Sequence, residues 1–176
     1  MNSPGYRSRY KEFLKIDYPR LPLTKSINLF RALSRLGDLL IKLHLLELPP
    51  DQVKIGEFIG RDSQVSKIRY TKENGGTVWI DGKGTINAPV QGANGFRNVP
   101  EGVWNFTIGG DQVCEKFLKD RGPAKGRHGQ SLSNEAISLY QRILFVIDKT
   151  LDARMQVDEA IDAHGGWPDA FITADS

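Results

Sequence analysis

Two long segments of the chain carry apolar side chains at every third or fourth position, which predicts two helices with one core-facing stripe each. The first covers residues 25–46, with Thr24 as its expected N-cap, and the second covers residues 133–163, with Ser133 as its N-cap. The expected stripe of the first helix comprises Ile27, Phe30, Leu33, Leu36, Leu40, Leu43 and Leu46. The expected stripe of the second comprises Ile137, Tyr140, Ile143, Leu144, Ile147, Leu151 and Met155. A shorter helix is predicted over residues 111–119.

The middle of the chain changes to the strand period. Residues 65–70 alternate between apolar and polar positions, and residues 77–80 follow across Asn74, Gly75 and Gly76, which is a hairpin signal. A second turn leads into residues 85–87, so a three-stranded meander is expected. The predicted fold class is therefore α+β, with two long helices and a shorter one packed around a small antiparallel β-meander.

The ends of the chain differ from the middle. Pro19 and Pro22 favour an extended backbone over residues 16–23. We predict a basic extended lead-in over residues 1–24, a single α+β domain over residues 25–164 and a C-terminal tail over residues 165–176.

Composition narrows the class of protein. The chain has 176 residues, 39% hydrophobic and 26% charged, which is typical of a globular domain and excludes a disordered tail or a collagen-like repeat. A single cysteine excludes a disulfide framework and suits a reducing cytosol, and no apolar run predicts a membrane span. The expected localisation is cytoplasmic, with no membrane partner.

Charge is unevenly distributed, although the net charge is only +3. Residues 1–35 are strongly basic and residues 148–176 are strongly acidic. A strongly basic region in a chain whose net charge is close to zero is typical of a protein that binds a polyanion. The alternative explanation is that these charges lie on solvated helix faces.

Candidate catalytic chemistry is sparse. The spacings that form common metal sites are missing from the sequence, as are the phosphate-binding and nucleophile motifs of common enzyme families. Cys114 is predicted to be a buried structural thiol and His44 a histidine on a packed helix. We therefore predict no catalytic residue, no metal site and no cofactor in this chain.

Two features favour nucleic acid. Gly109 and Gly110 are predicted to open a helix, where backbone N–H groups could bind phosphate, although Asp111 opposes this. A Gly-rich loop over residues 120–130 is expected to be mobile and basic, and the hairpin over residues 65–80 could enter a major groove or be an ordinary solvent-exposed hairpin. The candidate DNA-binding residues are Arg69, Lys72, Asn74, Arg97, Arg121, Lys125 and Arg127.

Four segments together resemble the C-terminal region of single-polypeptide Type ISP restriction–modification enzymes. They are residues 13–22 (FLKIDYPRLP), 36–47 (LGDLLIKLHLLE), 103–121 (VWNFTIGGDQVCEKFLKDR) and 132–143 (LSNEAISLYQRI). The resemblance covers roughly residues 10–160 and departs at Asp111, where the family favours an aromatic residue, and in the loop over residues 121–131, which is longer and richer in glycine.

The resemblance implies a target-recognition domain, separated from the nuclease, translocase and adenine-N6 methyltransferase that such enzymes carry. ATP, Mg²⁺ and S-adenosylmethionine would belong to those other domains, because Leu48-Pro49-Pro50-Asp51 is not the Asn/Asp-Pro-Pro-aromatic element of an adenine methyltransferase. The leading hypothesis is non-catalytic, sequence-specific recognition of double-stranded DNA. The alternative is an interaction module that docks on a methyltransferase or translocase partner through the exposed face of helix 25–46 and the acidic end of helix 133–163.

Overall fold

A computed structural model of the chain describes residues 3–19, 21–47, 55–82, 93–124 and 126–172. The residues form two compact units. Unit 1 comprises Met1–Glu47 and Lys149–Ser176, and unit 2 comprises Leu48–Asp148.

Unit 1 contains helix α1 (Pro4–Arg9), helix α2 (Ile27–His44) and the second half of helix α5 (Asn134–Asp162). Ser3 caps α1, since its Oγ accepts the Tyr6 N–H at 2.9 Å, and Pro4 occupies the first turn, where a missing N–H costs nothing. Asp158 of α5 accepts hydrogen bonds from the Ser3 hydroxyl at 2.5 Å and the Gly5 N–H at 2.8 Å. The lead-in is therefore helical over Pro4–Arg9, not extended throughout.

Helix α2 begins two residues later than the pattern predicts. Ser26 is its N-cap, accepting the N–H groups of Asn28 and Leu29. Thr24 is wrong as the cap, because it forms a β-bridge with Phe171 that holds the chain extended up to the helix.

The buried face of α2 also differs from the prediction. Leu29, Leu40 and Leu43 are buried, whereas Ile27 and Phe30 are 61% and 58% exposed. Leucine and isoleucine occur on more than one side of this helix, so periodicity alone could not select the face that packs.

The core of unit 1 includes residues that the sequence assigned to a tail. Leu29, Ile161, Ala170 and Phe171 form one buried cluster, and the Trp167 ring stacks on Phe171 with centroids 4.1 Å apart. Backbone hydrogen bonds from Lys25 N–H to Ala170 and from Ile172 N–H to Leu23 connect this segment to the lead-in. Residues 165–172 are thus part of the folded unit.

Unit 2 contains a four-stranded antiparallel sheet. Its strands are β1 (Glu57–Ile59), β2 (Arg69–Thr71), β3 (Thr77–Trp79) and β4 (Gly95–Arg97), in the order β1-β4-β3-β2. The predicted hairpin is confirmed as β2–β3, with Tyr70 opposite Val78. The third strand of the meander is β4, while the predicted strand at residues 85–87 lies outside the described residues.

The remaining elements of unit 2 are helix α3 (Glu101–Trp104), strands β5 (Thr107–Ile108) and β6 (Asp111–Gln112), helix α4 (Val113–Lys119) and the first half of α5. Phe96 of the sheet packs edge-on against Tyr140 of α5 at 4.6 Å, and Phe117 of α4 stacks on the same ring at 5.1 Å. The α+β class is confirmed. Ser133 caps α5 as predicted, since its Oγ accepts the Ala136 N–H at 3.2 Å.

Two further expectations about the core can be compared with the structure. Met155, assigned to the buried stripe of α5, is 57% exposed. Cys114 is fully buried as predicted, and burial raises the pKa of its thiol to about 12, so it remains protonated at neutral pH.

Candidate nucleic-acid interface

The β2–β3 hairpin presents polar side chains at its turn. Lys72 and Asn74 are both exposed, and Asn74 adopts the left-handed conformation with φ 54° and ψ 41°. Asparagine tolerates this conformation better than most residues, which accounts for the tight 3₁₀ turn over Glu73–Gly75.

Two of the predicted DNA-binding cations are already paired with carboxylates. Lys72 Nζ lies 2.6 Å from a Glu101 oxygen. Arg97 forms a two-pronged contact with Glu57, with Nε and Nη2 each donating to a carboxylate oxygen at 2.8 Å. Both pairs are about half exposed or more, so each contributes little to stability and lowers the positive potential that DNA would experience.

Arg69, at the start of β2, differs from those two cations. It lies opposite Trp79 in the ladder, on the same face of the sheet as Arg97, and its side chain is exposed. Within the described residues it forms no ion pair. Its guanidinium is thus available to an anionic partner.

The loop over residues 121–131 is anchored to the same part of unit 2. The Val65 N–H donates to Gln130, the Gln130 N–H donates to Arg121, and residues 124 and 127 exchange two backbone hydrogen bonds across a tight turn. The described residues of this loop are therefore held in place, in contrast to the mobile loop expected from its glycines. Lys125 lies outside the described residues.

Arg121 and Arg127 have different roles in this loop. The Arg121 guanidinium lies 3.7 Å above the Phe117 ring and donates to the Phe117 carbonyl at 2.8 Å, so it fastens the loop to α4. The Arg127 side chain is exposed, and among the described residues its guanidinium makes one long contact, 3.4 Å, with the Asp120 carbonyl. Of the two, Arg127 is therefore the better candidate to bind phosphate.

Gly109 and Gly110 lie at a different place from the one predicted. They form the turn of the β5–β6 hairpin, with φ of +60° and +92°, and not the start of a helix. Helix α4 begins three residues later at Val113, because Asp111 and Gln112 pair with Ile108 and Thr107 as a strand. The backbone N–H groups of the two glycines are thus not aligned with a helix axis.

Sequence reasoning missed two exposed cations on the segment that joins these features. Arg61 and Lys67 lie on residues 61–69, whose backbone pairs with the loop through the bridge between Gln64 and Ser131. The strand-like alternation that places Lys67 and Arg69 on the same side of the chain was the signal that could have indicated these exposed cations. We call these five exposed basic residues of the segment and the loop the basic surface, although Asp62 is exposed on the same segment: Arg61, Lys67, Arg69, Arg127 and His128.

The described residues hold no cluster of three or more side chains that could ligate a metal ion. None of their helices has the length and apolarity that a membrane span requires. What the arrangement offers chemically is positive charge and hydrogen-bond donors on a rigid sheet and its adjoining loop.

The comparison that assigns the family covers most of the chain. Residues 1–152 match the family described as the Type ISP C-terminal specificity domain. The chain belongs to this family. At the family level, a specificity domain is a recognition domain that selects the DNA target in restriction–modification.

Two solved structures share the fold of this specificity domain. One is the ATP-dependent Type ISP restriction–modification enzyme LlaBIII bound to DNA, with a TM-score of 0.55 and 18% identity over 89% of this chain and 10% of that chain. The other is a nuclease-deletion mutant of the Type ISP enzyme LlaGI in complex with a DNA substrate mimic, with a TM-score of 0.56 and 22% identity over 88% of this chain and 12% of that chain. The present chain therefore spans about a tenth of each enzyme's length. No curated protein sequence matches it.

Proposed function

We propose that this specificity domain recognises a specific sequence in double-stranded DNA for a restriction–modification system and performs no catalysis itself. The family match over residues 1–152 carries the proposal. The basic surface of unit 2 supports it, because exposed basic side chains that form no ion pair with the described residues supply the phosphate contacts on which affinity for duplex DNA depends.

The structure separates the candidate DNA-binding residues into groups. Arg69 and Arg127 are the principal contacts in this proposal, because both are exposed and neither is engaged by a carboxylate of the described residues. Lys72 and Arg97 contribute less while Glu101 and Glu57 hold them. Arg121 acts by positioning the loop, Asn74 contacts a base edge from the hairpin turn, and Lys125 is retained from the sequence alone.

The catalytic steps of such a system fall outside this chain in the proposal. A nuclease, an ATP-driven translocase and an adenine-N6 methyltransferase, on the same polypeptide or on partner subunits, would bind ATP, Mg²⁺ and S-adenosylmethionine. The site of action is the cytoplasm, where the chromosome and incoming DNA are found.

The test is a selection from a random-sequence duplex library at two salt concentrations, followed by titration of the enriched duplex. We expect a short motif to be enriched, with affinity falling as salt rises. Retention without enrichment would reduce the proposal to general phosphate binding, and no retention at low salt would refute direct DNA recognition.

Single-residue variants make the test specific to the basic surface. If Arg69 contacts phosphate, Arg69→Ala lowers affinity equally for all sequences and lowers the salt slope by about 0.9. If it contacts a base edge, the loss is about 1–3 kcal/mol and the preference relaxes at one position of the motif. Arg97→Ala is the matched control on the same face of the sheet, and we expect a smaller change because Glu57 already neutralises that guanidinium. Equal losses for both variants would contradict the assignment.

A further inference from the structure

Exposed apolar side chains concentrate in unit 1. Among the described residues, ten of the twelve large apolar side chains that remain exposed belong to this unit. They are Ile16, Tyr18, Leu21, Leu23, Ile27, Phe30, Ile41, Leu45, Met155 and Ile172. Exposed apolar side chains that form a contiguous patch are a sign of a protein interface.

Four of these side chains share one face of helix α2. Ile27, Phe30, Ile41 and Leu45 are separated by three, eleven and four residues, each close to a whole number of helical turns. They are between 58% and 61% exposed, while the core of unit 1 is filled from a different side of the same helix, through Leu29. Helices that are apolar on more than one side are usually buried on each of those sides, so the exposed side of α2 is a candidate surface for a partner.

Gly37 lies in the middle of this second stripe, seven residues after Phe30 and four before Ile41. A Cβ atom at this position would meet nothing within 4 Å, so no contact in the described residues requires glycine. Glycine inside a helix costs about 1 kcal/mol relative to alanine. Because glycine has no side chain, Gly37 leaves a depression in the surface of α2. An adjacent apolar cleft of about 200 Å³, lined in part by Leu21, Pro22 and Leu33, enlarges this depression. Such a depression allows the backbone of another helix to approach closely.

The border of the stripe is basic. Arg31 and Arg35, one turn apart on α2, are exposed and form no ion pair with the described residues. Among the described residues, Lys42 forms its ion pair with Asp38 of its own helix. A partner that covers the apolar stripe and carries acidic side chains along one flank would neutralise these cations.

We propose that this α2 face, defined by Ile27, Phe30, Gly37, Ile41 and Leu45, binds an amphipathic helix with an acidic flank from the polypeptide that carries the rest of a Type ISP enzyme. The geometry is that of a helix docked in an apolar groove. The occupant follows from the family and from length: this C-terminal specificity domain equals only 10% and 12% of the two solved enzymes that share its fold, so a much larger protein surface accompanies it there. The inference rests on the restriction–modification assignment above, but not on the DNA contacts of unit 2.

The probe is the nuclease-deleted LlaGI polypeptide from which the matching segment has been removed, titrated with the full chain by calorimetry. We expect a one-to-one complex. Phe30→Asp combined with Ile41→Asp should weaken it at least about thirtyfold, the effect expected of a central apolar anchor. Ile108→Asp is the control, because Ile108 is equally exposed at 63% but lies in unit 2.

A second variant separates docking from folding. In Gly37→Leu the new Cβ meets no atom of the described residues and helix propensity rises, so the chain should fold with an unchanged circular dichroism spectrum. Its side chain fills the depression, so its affinity for the probe should nevertheless fall at least about thirtyfold. An undiminished complex with either variant overturns the proposal, and so does a wild-type chain that sediments as a monomer and binds no probe. A wild-type dimer that the double variant dissolves would assign the face to a second copy of the chain instead. DNA binding is measured on the same proteins. If the wild-type chain binds no DNA but still forms the complex with the LlaGI polypeptide, only the DNA proposal is refuted.

Discussion

The two units of this specificity domain treat their apolar residues differently. In unit 2, Phe96, Val78, Leu118 and Tyr140 are fully buried, and only Ile108 and Leu139 remain as large exposed apolar side chains among the described residues. Unit 1 has a smaller buried cluster, including Leu29 and Phe171, and ten of its large apolar side chains among the described residues are exposed to water.

The difference fits the two functions proposed above for the two units. A unit that closes its own core can present polar and charged side chains in fixed positions, which is what recognition of DNA requires. A unit with an uncovered apolar helix face gains stability when a protein partner covers it. The charges agree with this division, since the cations of the basic surface form no ion pair with a carboxylate of the described residues, while the cations of α2 border an apolar stripe.

The largest expected effect on stability comes from replacing a phenylalanine by alanine in each unit. Phe96→Ala removes a fully buried ring that packs on Tyr140, and should destabilise the chain by about 3–5 kcal/mol. Phe30→Ala removes a ring that is 58% exposed, and should change stability by no more than about 0.5 kcal/mol. Urea unfolding measures both, and equal losses would contradict the comparison.

Alanine in place of glycine should have opposite signs in the two units. At Gly95 of β4, a Cβ atom would lie 2.3 Å from the Val78 carbonyl oxygen, so the strands must shift and stability should fall by about 1–3 kcal/mol. At Gly37 of α2 the space is open, and alanine should raise stability by about 1 kcal/mol. Thermal midpoints of the two variants test this, and a destabilising Gly37→Ala would show that unit 1 itself needs the glycine.

A smaller effect concerns alkaline pH. The Cys114 thiol of unit 2 has its pKa raised by burial from 9.0 to about 12, so above pH 9 the unfolded chain loses a proton that the folded chain keeps. Stability should therefore fall as pH rises through this window, by at most about 1.4 kcal/mol per pH unit. Burial also raises the pKa of the Tyr140 hydroxyl, which acts in the same direction above its ordinary value of 10.0.

Urea midpoints at pH 8 and pH 10 measure this dependence. Cys114→Val is the control, because it removes the thiol while keeping a small apolar side chain, and its urea midpoint should fall less between pH 8 and pH 10 than that of the wild type. An unchanged slope in this variant would mean that the thiol does not titrate on unfolding.

Local patterns predicted the elements that depend on neighbouring residues. The long helices were found because their period extends over five or more turns, and the β2–β3 hairpin was found because Asn74 and the glycines beside it favour its turn. Strand β1 was missed: it has three residues, and its pairing partner Arg97 lies forty positions from Glu57. The α2 cap was misplaced for a related reason, since Thr24 pairs with Phe171 at the other end of the chain.

The candidate site was predicted less completely. The sequence identifies Arg69, Lys72, Arg97, Arg121 and Arg127 as cations in loops and strands, but not which of them a carboxylate or a ring already holds. Glu57 and Glu101 reach Arg97 and Lys72 only because the chain folds back on itself. Arg61 and Lys67 were overlooked because their segment gains its position from the backbone of the distant loop.

By itself, the sequence determined the α+β class, the two long helices and the family. Helix periodicity and the four family segments each consist of residues that are neighbours in the sequence, so they can be recognised without the fold. Only the tertiary structure decided which face of α2 is buried, which strand completes the meander and which cations are free. Each of these depends on contacts between residues far apart in the chain, and the energy of such a contact exists only once the intervening chain has folded.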